Sequence, residues 1–347
     1  MNPNQKRNII YSILLVAAVF LVYLYRTNTQ QNNAPVQLEI NGQTMGTFYQ
    51  IKYLDAERRD FKSSIDSLLV AINQSLSTYI PDSELSRFNQ KTVFVYESPF
   101  FYPVLVQSQA VWEKTDGLFD PTIGPLVNAY GFGPESRKVP SQERINELME
   151  SVGFDKIFFD RESVCKLQEG IYLDFSANAK GYGVDLVAEF LESKGLSNYM
   201  VNIGGDLRVK GLNREGNAWS LGIEKPVLGG NSGEIIAIIR MKDESMATSG
   251  NYRNFFVEDD VMYYHTIDPR TGFPAKGNIL SSSVIAPTCI DADAYATAFM
   301  VGGFEKSMEI LERVPELKVF FVYSDEEGQI RYFFSPGLDV ELVDQVQ

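Results

Sequence analysis

The chain is short of the side chains on which most metal and hydrolytic chemistry depends. Among its 347 residues there is one histidine, His265, and only two cysteines, Cys165 and Cys289. Two cysteines exclude a disulfide framework, and their spacing fits no metal motif. A zinc centre or a Ser-His-Asp hydrolase has little to build with unless His265 is central. Positive charge is scarce as well. The 31 Lys and Arg against 45 Asp and Glu leave a formal net charge of −14, which excludes a general grip on nucleic acid. The acidity does not forbid phosphates locally, provided that basic residues and a metal gather at the site. No internal repeat and no low-complexity tract interrupts the chain.

What is present is apolar bulk, at 44% hydrophobic and 12% aromatic residues. That suffices for a large core, in one big domain or two fused subdomains. The longest apolar run is "NIIYSILLVAAVFLVYLY", residues 8 to 25, 18 consecutive residues without a charge. Such a run is about the minimum that spans a bilayer core. Lys6 and Arg7 precede it and Arg26 follows, a bias that keeps the N-terminus in the cytoplasm. Neither a small-residue cleavage pattern nor a cysteine for lipid attachment follows. Residues 1–26 therefore read as an uncleaved signal anchor with the body outside the cytoplasm, a cleaved signal peptide being the alternative. Residues 27–37 are polar and uncharged, as suits a linker, and 38–347 form the body.

In the body, "GTFYQIKY" (46–53) alternates as a strand does, and Phe61, Ile65, Leu68, Leu69, Ile72 and Leu76 recur at helical spacing. "STYIPDSELSRFN" reads as a polar turn, 100–115 as a helix, and "LFDPTIGPLVNAYGFGP" as a shaped loop rich in Pro and Gly. Ile145, Leu148, Met149 and Val152 mark another helix, and "IYLD" (171–174) a strand. A helix through Lys180 runs to Lys194, with Gly195 as its stop. "YMVNIGGDLRVKG" is a hairpin, and strands follow at 219–224, 234–240, 253–257, 261–266 and 280–286. Helices near 291–300 and 304–313 and a hairpin of 317–323 with 330–334 complete the chain. Strands and helices do not alternate regularly, so the fold class is α+β with mixed or antiparallel sheets rather than a doubly wound sheet.

Two positions point to chemistry. Lys180 in "LDFSANAKGYGVD" lies in the first turn of a helix, where the dipole repels a cation by a few tenths to about 1 kcal/mol. Either its long side chain leans into water, or an anion such as a phosphate sits at that helix start. In "CIDADAYATAFM", Asp293 and Thr297 are four apart and share one helix face. A carboxylate and a hydroxyl, with a backbone carbonyl added, make an oxygen site for Mg²⁺. Asp291 and Asp293 are equally ordinary as acids at a helix start. Mg²⁺ shares its shell with phosphates, so the metal reading requires a phosphate site nearby, and the Lys180 helix offers one. Arg253 and Arg270 suit phosphates or surface acids, "DPRTG" suits a hairpin loop, and the glycines of "NIGGD" suit a turn or a planar ligand. His265 is either a structural residue or the base titrating near neutrality.

Taken in order, "MGTFY", "STYIPDSELSRFN", "DGLFDPTIGPLVNAYGFG", "LDFSANAKGYGVD", "NIGGD", "ATSGNYRNFF", "HTIDPRTGFP" and "VIAPTCIDADAYATAFMVGG" resemble the FAD:protein FMN transferases, the ApbE-type flavin transferase family. The resemblance covers about residues 36 to 335. It implies a tunnelling-fold-like α+β body and an enzyme that binds FAD and Mg²⁺. Such enzymes move FMN onto a threonine hydroxyl of an acceptor protein as a phosphoester, releasing AMP. It implies that Met45, Tyr79, Leu118, Phe119 and Asp120 line the flavin or adenine pockets. By the same resemblance Asp174 and Ile267 touch FAD and Lys180 reaches its phosphates. Asp293 and Thr297 would ligate Mg²⁺ by side chain, and Ala177 by its carbonyl. The chain departs from the family at Ser176-Ala177-Asn178, where glycines are frequent, and at Ala296, where some members carry a further carboxylate.

Family acceptors are mostly subunits of membrane redox complexes. The anchor read at residues 1–26 agrees with this, and together they imply a single-pass protein of the bacterial inner membrane with its catalytic body on the periplasmic side. An FAD hydrolase using water at the same site, and a non-catalytic flavin-binding module, are the competing readings. The attacking threonine must lose its proton, for which His265 is the candidate base, with Asp268 or Asp206 as alternatives on nearby loops. On this reading His265→Ala keeps FAD affinity and slows transfer by about 10²-fold or more. Undiminished turnover of that variant on a threonine-bearing acceptor removes the assignment.

Overall fold

The computed structural model describes residues 2–32, 35–133, 139–227, 230–251, 255–258 and 261–343. An N-terminal helix, α1 (Pro3–Asn32), precedes the hairpin β1 (Val36–Thr44) and β2 (Thr47–Asp55). Then come α2 (Lys62–Leu76), α3 (Glu84–Asn89), β3 (Val93–Val95), α4 (Phe101–Lys114), α5 (Gly124–Ala129) and α6 (Gln142–Met149). The middle of the chain holds β4 (Ile157–Phe159), β5 (Ser163–Lys166), α7 (Ala179–Ser193), β6 (Tyr199–Ile203) and β7 (Asp206–Lys210). Strands β8 (Trp219–Val227), β9 (Gly230–Met241), β10 (Glu244–Gly250), β11 (Phe255–Glu258), β12 (Val261–Tyr264) and β13 (Ile279–Ala286) follow. Helix α8 (Cys289–Arg313), β14 (Lys318–Ser324), β15 (Ile330–Phe334) and β16 (Val340–Leu342) end it.

The central element is an eight-stranded sheet in the order β1-β2-β6-β7-β10-β13-β14-β15. Every neighbouring pair in it is antiparallel. Its two faces explain the apolar run in β14. Successive side chains of a strand point to opposite faces, and here both faces are covered. Val319 and Phe321 join the cluster under α8, while Phe320 and Val322 join the opposite cluster. Helices α7 and α8 lie side by side on the first face, α7 over β6 and β7, α8 over β10 and β13. The second face is closed by a three-stranded sheet, β16-β9-β8, through Trp219, Leu221, Ile223 and Ile239. The layering places the N-termini of α7 and α8 next to each other. This is an α+β fold with antiparallel sheets and helices against them, as the sequence pattern implies.

Several local expectations need correction. The polar turn of residues 77–89 contains α3, because Ser83 accepts from the Ser86 amide at 3.0 Å as its N-cap. The Pro- and Gly-rich loop contains a 3₁₀ turn, Pro121–Ile123, and α5, with Asp120 accepting from the Thr122 amide at 2.8 Å. Residues 171–174 are not a strand. The Asn89 side chain takes the place of a strand partner, accepting from Leu173 N at 2.8 Å and donating to Leu173 O at 2.9 Å. Strand β10 went unread because "ESMATSG" lacks the branched and aromatic residues that mark a strand. The polar segment after residue 26 is largely helical, since α1 continues to Asn32. Within α1, Gln5–Val22 is long and apolar enough to cross a membrane, with mean hydropathy 1.5 and none of it buried.

Helix α8 is interrupted at Gly303, whose φ of 73° and ψ of −178° only glycine adopts readily. The break agrees with the two helical segments read from the sequence. It is held by Asn278, whose side-chain oxygen accepts from the Phe304 amide at 2.9 Å. Gly303→Ala should lower the unfolding free energy by about 1–3 kcal/mol, measured by urea titration. An unchanged midpoint would mean that the break is not strained.

Candidate functional site

The site grows from the junction of α7 and α8. Gly181 makes the close approach possible: a Cβ there would stand 2.3 Å from the Cys289 carbonyl oxygen and 2.9 Å from Asp293 Cβ. The first amides of any helix lack intrahelical partners. The N-cap of α7, Asn178, makes no side-chain capping bond. Instead Asp293 of α8 reaches across, and its Oδ2 accepts from the Gly181 amide at 3.1 Å. In return Asp185 of α7 accepts from the first two amides of α8, Cys289 at 3.0 Å and Ile290 at 2.9 Å. Each helix is thus capped by a carboxylate of the other, and two positive dipole ends converge on one corner.

Lys180 sits in that corner. Its ammonium is hydrogen-bonded to Asp206, at the start of β7, and lies 3.9 Å from Asp293 Oδ1. Burial works against the charged amine, but the two carboxylates outweigh it and raise its pKa. Asp293 is pushed up to about 8, first by burial and next by the charge of Asp206, with Lys180 and the Gly181 amide opposing. One turn further along α8, Thr297 Oγ1 is 3.3 Å from Ser249 Oγ of β10. No described amide donates to the Ala177 carbonyl, just ahead of α7. Asp293, Thr297 and that carbonyl are an oxygen-only donor set, which fits a hard divalent cation sharing its shell with phosphate. Among the described residues no cluster of three or more His, Cys, Asp or Glu offers another metal site.

Beside this corner lies a cleft of about 920 Å³, whose lining includes Met45, Asn73, Ser77, Tyr79, Ser176 and Lys180. Met45, in the β1–β2 turn with φ of 49°, packs its thioether end against Gly183 of α7. Tyr79 is 63% exposed, and its hydroxyl donates to the Phe132 carbonyl at 3.4 Å. The Phe132 ring stands edge-on to His265 with centroids 6.3 Å apart. His265 is thus linked indirectly, through Phe132, to Tyr79 of the cleft lining. Asp174 holds the turn into α7 by accepting from Ser176 N at 2.8 Å and from the Ser176 hydroxyl.

Other expected residues lie elsewhere. Leu118, Phe119 and Ile267 are core residues, the first two under α8 and the third against Tyr130 and Ile145. The Asp120 carboxylate is consumed by Thr122 and by the Phe154 amide at 3.0 Å. Asp268 is pinned by Arg270, whose Nε and Nη2 donate at 3.0 and 2.8 Å, so neither of them faces a ligand as a free charge. Arg253 lies outside the described residues. Asp185, Gly181 and Ser249 were missed. Asp185 left one signal, an acid between Val184 and Val187 on the apolar face of a helix.

Comparison with known proteins supports a common origin for this arrangement. The model of the ApbE family matches residues 45–321. A Vibrio cholerae protein named FAD:protein FMN transferase is 41% identical over 309 residues, covering 85% of this chain and 90% of that protein. An Escherichia coli protein of the same name is 35% identical over 347 residues, covering 96% of this chain and 97% of that one. The solved flavin transferase ApbE of Vibrio cholerae superposes with a TM-score of 0.78 at 38% identity, covering 87% of this chain and 98% of that one. The ApbE protein of Thermotoga maritima gives 0.74 at 29% identity, covering 85% and 96%.

The raised pKa of Asp293 has a measurable consequence. The unfolded chain releases that proton near the ordinary value of 3.8, the folded metal-free chain near 8. Between those values the folded state binds more protons, so stability must fall as pH rises. With chelator present, the unfolding free energy should drop across that window by up to about 1.4 kcal/mol per pH unit. Asp293→Asn should flatten the drop; a slope that survives the substitution contradicts the assignment.

Proposed function

The chain belongs to the ApbE family, and from that premise we propose that the α7–α8 corner and its cleft bind FAD and transfer its FMN half to a protein hydroxyl. The observation that carries the proposal is the Lys180 ammonium 3.9 Å from Asp293 Oδ1 at two converging helix starts, opening on a cleft large enough for a ligand. The protein is a flavin transferase of the FAD:protein FMN transferase type, as the relatives' names support. The acceptor hydroxyl is that of a threonine. Met45 and Tyr79 hold the ring system, Asp174 supports the turn into α7, and Lys180 binds the diphosphate. Leu118, Phe119, Asp120 and Ile267 form the floor.

Mg²⁺, when bound, supplies a Lewis acid for the phosphoryl oxygens, and Asp293, Thr297 and the Ala177 carbonyl would hold it. The chain's own groups do the rest. The threonine oxygen attacks the phosphorus next to the flavin ribityl chain, a new P–O bond forms, and the P–O bond to AMP breaks. His265 takes the threonine proton. A relative's solved structure in which one histidine is replaced by glycine makes a histidine worth testing in this family. Lys180 stabilises the negative charge that builds on the phosphoryl group and on the departing AMP.

The same reading extends to place and partner. Residues 1–26 act as a single-pass anchor in the bacterial inner membrane, 27–37 as its connection, and 38–347 as the flavin transferase body on the periplasmic side. The acceptor is a subunit of a membrane redox complex, which a tethered enzyme meets at high effective concentration.

Co-expression of the chain with a candidate acceptor tests the reaction. Mass spectrometry should show one acceptor threonine gaining the mass of an FMN phosphoester, and Asp293→Ala should abolish the gain. FMN and AMP formed from FAD at full rate without any acceptor, and no labelled acceptor, would mean hydrolysis instead.

A further inference from the structure

Asp185 is a buried carboxylate, 4% exposed, which the proposed chemistry does not use. It sits on α7, five residues after Lys180, and touches the two other elements that build the corner. From α8 it receives the Cys289 and Ile290 amides at 3.0 and 2.9 Å. From β7 it receives Arg208 Nη1 at 2.9 Å. Arg208 lies two residues after Asp206, the partner of Lys180, so α7 and β7 are joined by ion pairs that include Lys180–Asp206, Arg208–Asp185 and Lys210–Glu192. Arg208 is steadied by Glu192 at 3.4 Å, and Glu192 accepts from the Tyr199 hydroxyl at 2.5 Å.

The two cross-helix contacts are spaced alike. Gly181 and Asp185 are four apart on α7, and Cys289 and Asp293 are four apart on α8, one helical turn each. The bonds Asp185–Cys289 and Asp293–Gly181 are therefore the two rungs of one clasp. We infer that Asp185 is a positioning residue, which by holding the first turn of α8 fixes where Asp293 stands relative to Gly181, Lys180 and the Ala177 carbonyl. It makes no contact with substrate. The part of the inference that concerns the cation rests on the function proposed above; the clasp itself does not.

The test uses the full-length chain in detergent with Asp185→Asn, which keeps one acceptor oxygen. Hydrogen exchange resolved to single amides, with chelator present, should speed up at Gly181 as well as at Cys289 and Ile290, by about tenfold or more. Faster exchange at Cys289 and Ile290 with Gly181 at its wild-type rate would overturn the inference, because a merely local cap would behave that way. Mn²⁺ binding in the presence of FAD, read by electron paramagnetic resonance, should weaken about 10–100-fold. Wild-type Mn²⁺ affinity in the variant would equally overturn it. If wild type itself takes up no Mn²⁺, the metal reading fails, and the exchange data still decide the clasp. Should Asp185→Asn not fold, Arg208→Gln leaves the carboxylate in place and should move both readouts in the same direction by a smaller factor; no change in either overturns the proposal.

Discussion

One ammonium between two carboxylates governs this structure. Lys180 occupies a helix start, where a cation is disfavoured, and Asp206 and Asp293 are what make it tolerable there. Burial and the charge of Asp206 act against the Asp293 carboxylate, and the lysine and the Gly181 amide oppose them. Without a metal, Asp293 keeps its proton up to about pH 8. Once both carboxylates ionise, two negative groups face one positive group beside two helix starts, whose dipoles attract anions. A divalent cation together with a diphosphate would satisfy both demands at once, which is the chemistry proposed for this corner.

The fold exists to hold that cluster in register. A sheet covered on both faces gives α7 and α8 a rigid floor, and Gly181 lets the helices meet closely enough for each to cap the other. Charge-assisted hydrogen bonds of this kind contribute about 1.5–3 kcal/mol each, enough to fix helix ends that sequence-local caps leave open. The cleft is then assembled from parts distant in the chain. The β1–β2 turn brings Met45, the end of α2 leads to Tyr79, and the turn before α7 brings Ser176. The cleft thereby joins two helix starts to turns from three separate parts of the chain.

Much of this was legible in the sequence, and what was not had physical reasons. The hairpin of β6 and β7, α7 with its Gly195 stop, and the break in α8 follow from turn glycines and helical periodicity, which are local signals. The pairing of Lys180 with the Asp293 region was legible because an uncomfortable charge demands a partner. Strand β10 was not, since its small polar residues owe their extended form to neighbours on either side. Residues 171–174 look like a strand because Ile171 and Leu173 alternate, yet both are buried in the core beside α4 and α7, and a side chain serves as the ladder. The resemblance to the family named Leu118, Phe119, Asp120 and Ile267 as pocket residues. The structure buries all four in the core, a placement that the local sequence does not reveal. Asp185 showed only as an acid on an apolar helix face, because its partners lie on α8, about a hundred residues away.

The central claim is that the dinucleotide's diphosphate is gripped between the lysine amine and a cation held by α8. A crystal structure with FAD and Mg²⁺ tests it most directly. The account predicts diphosphate oxygens within about 3 Å of Lys180 Nζ and in the shell of a Mg²⁺ that also binds Asp293 and Thr297. A diphosphate bound elsewhere in the cleft, with Lys180 still paired only to Asp206, would contradict it.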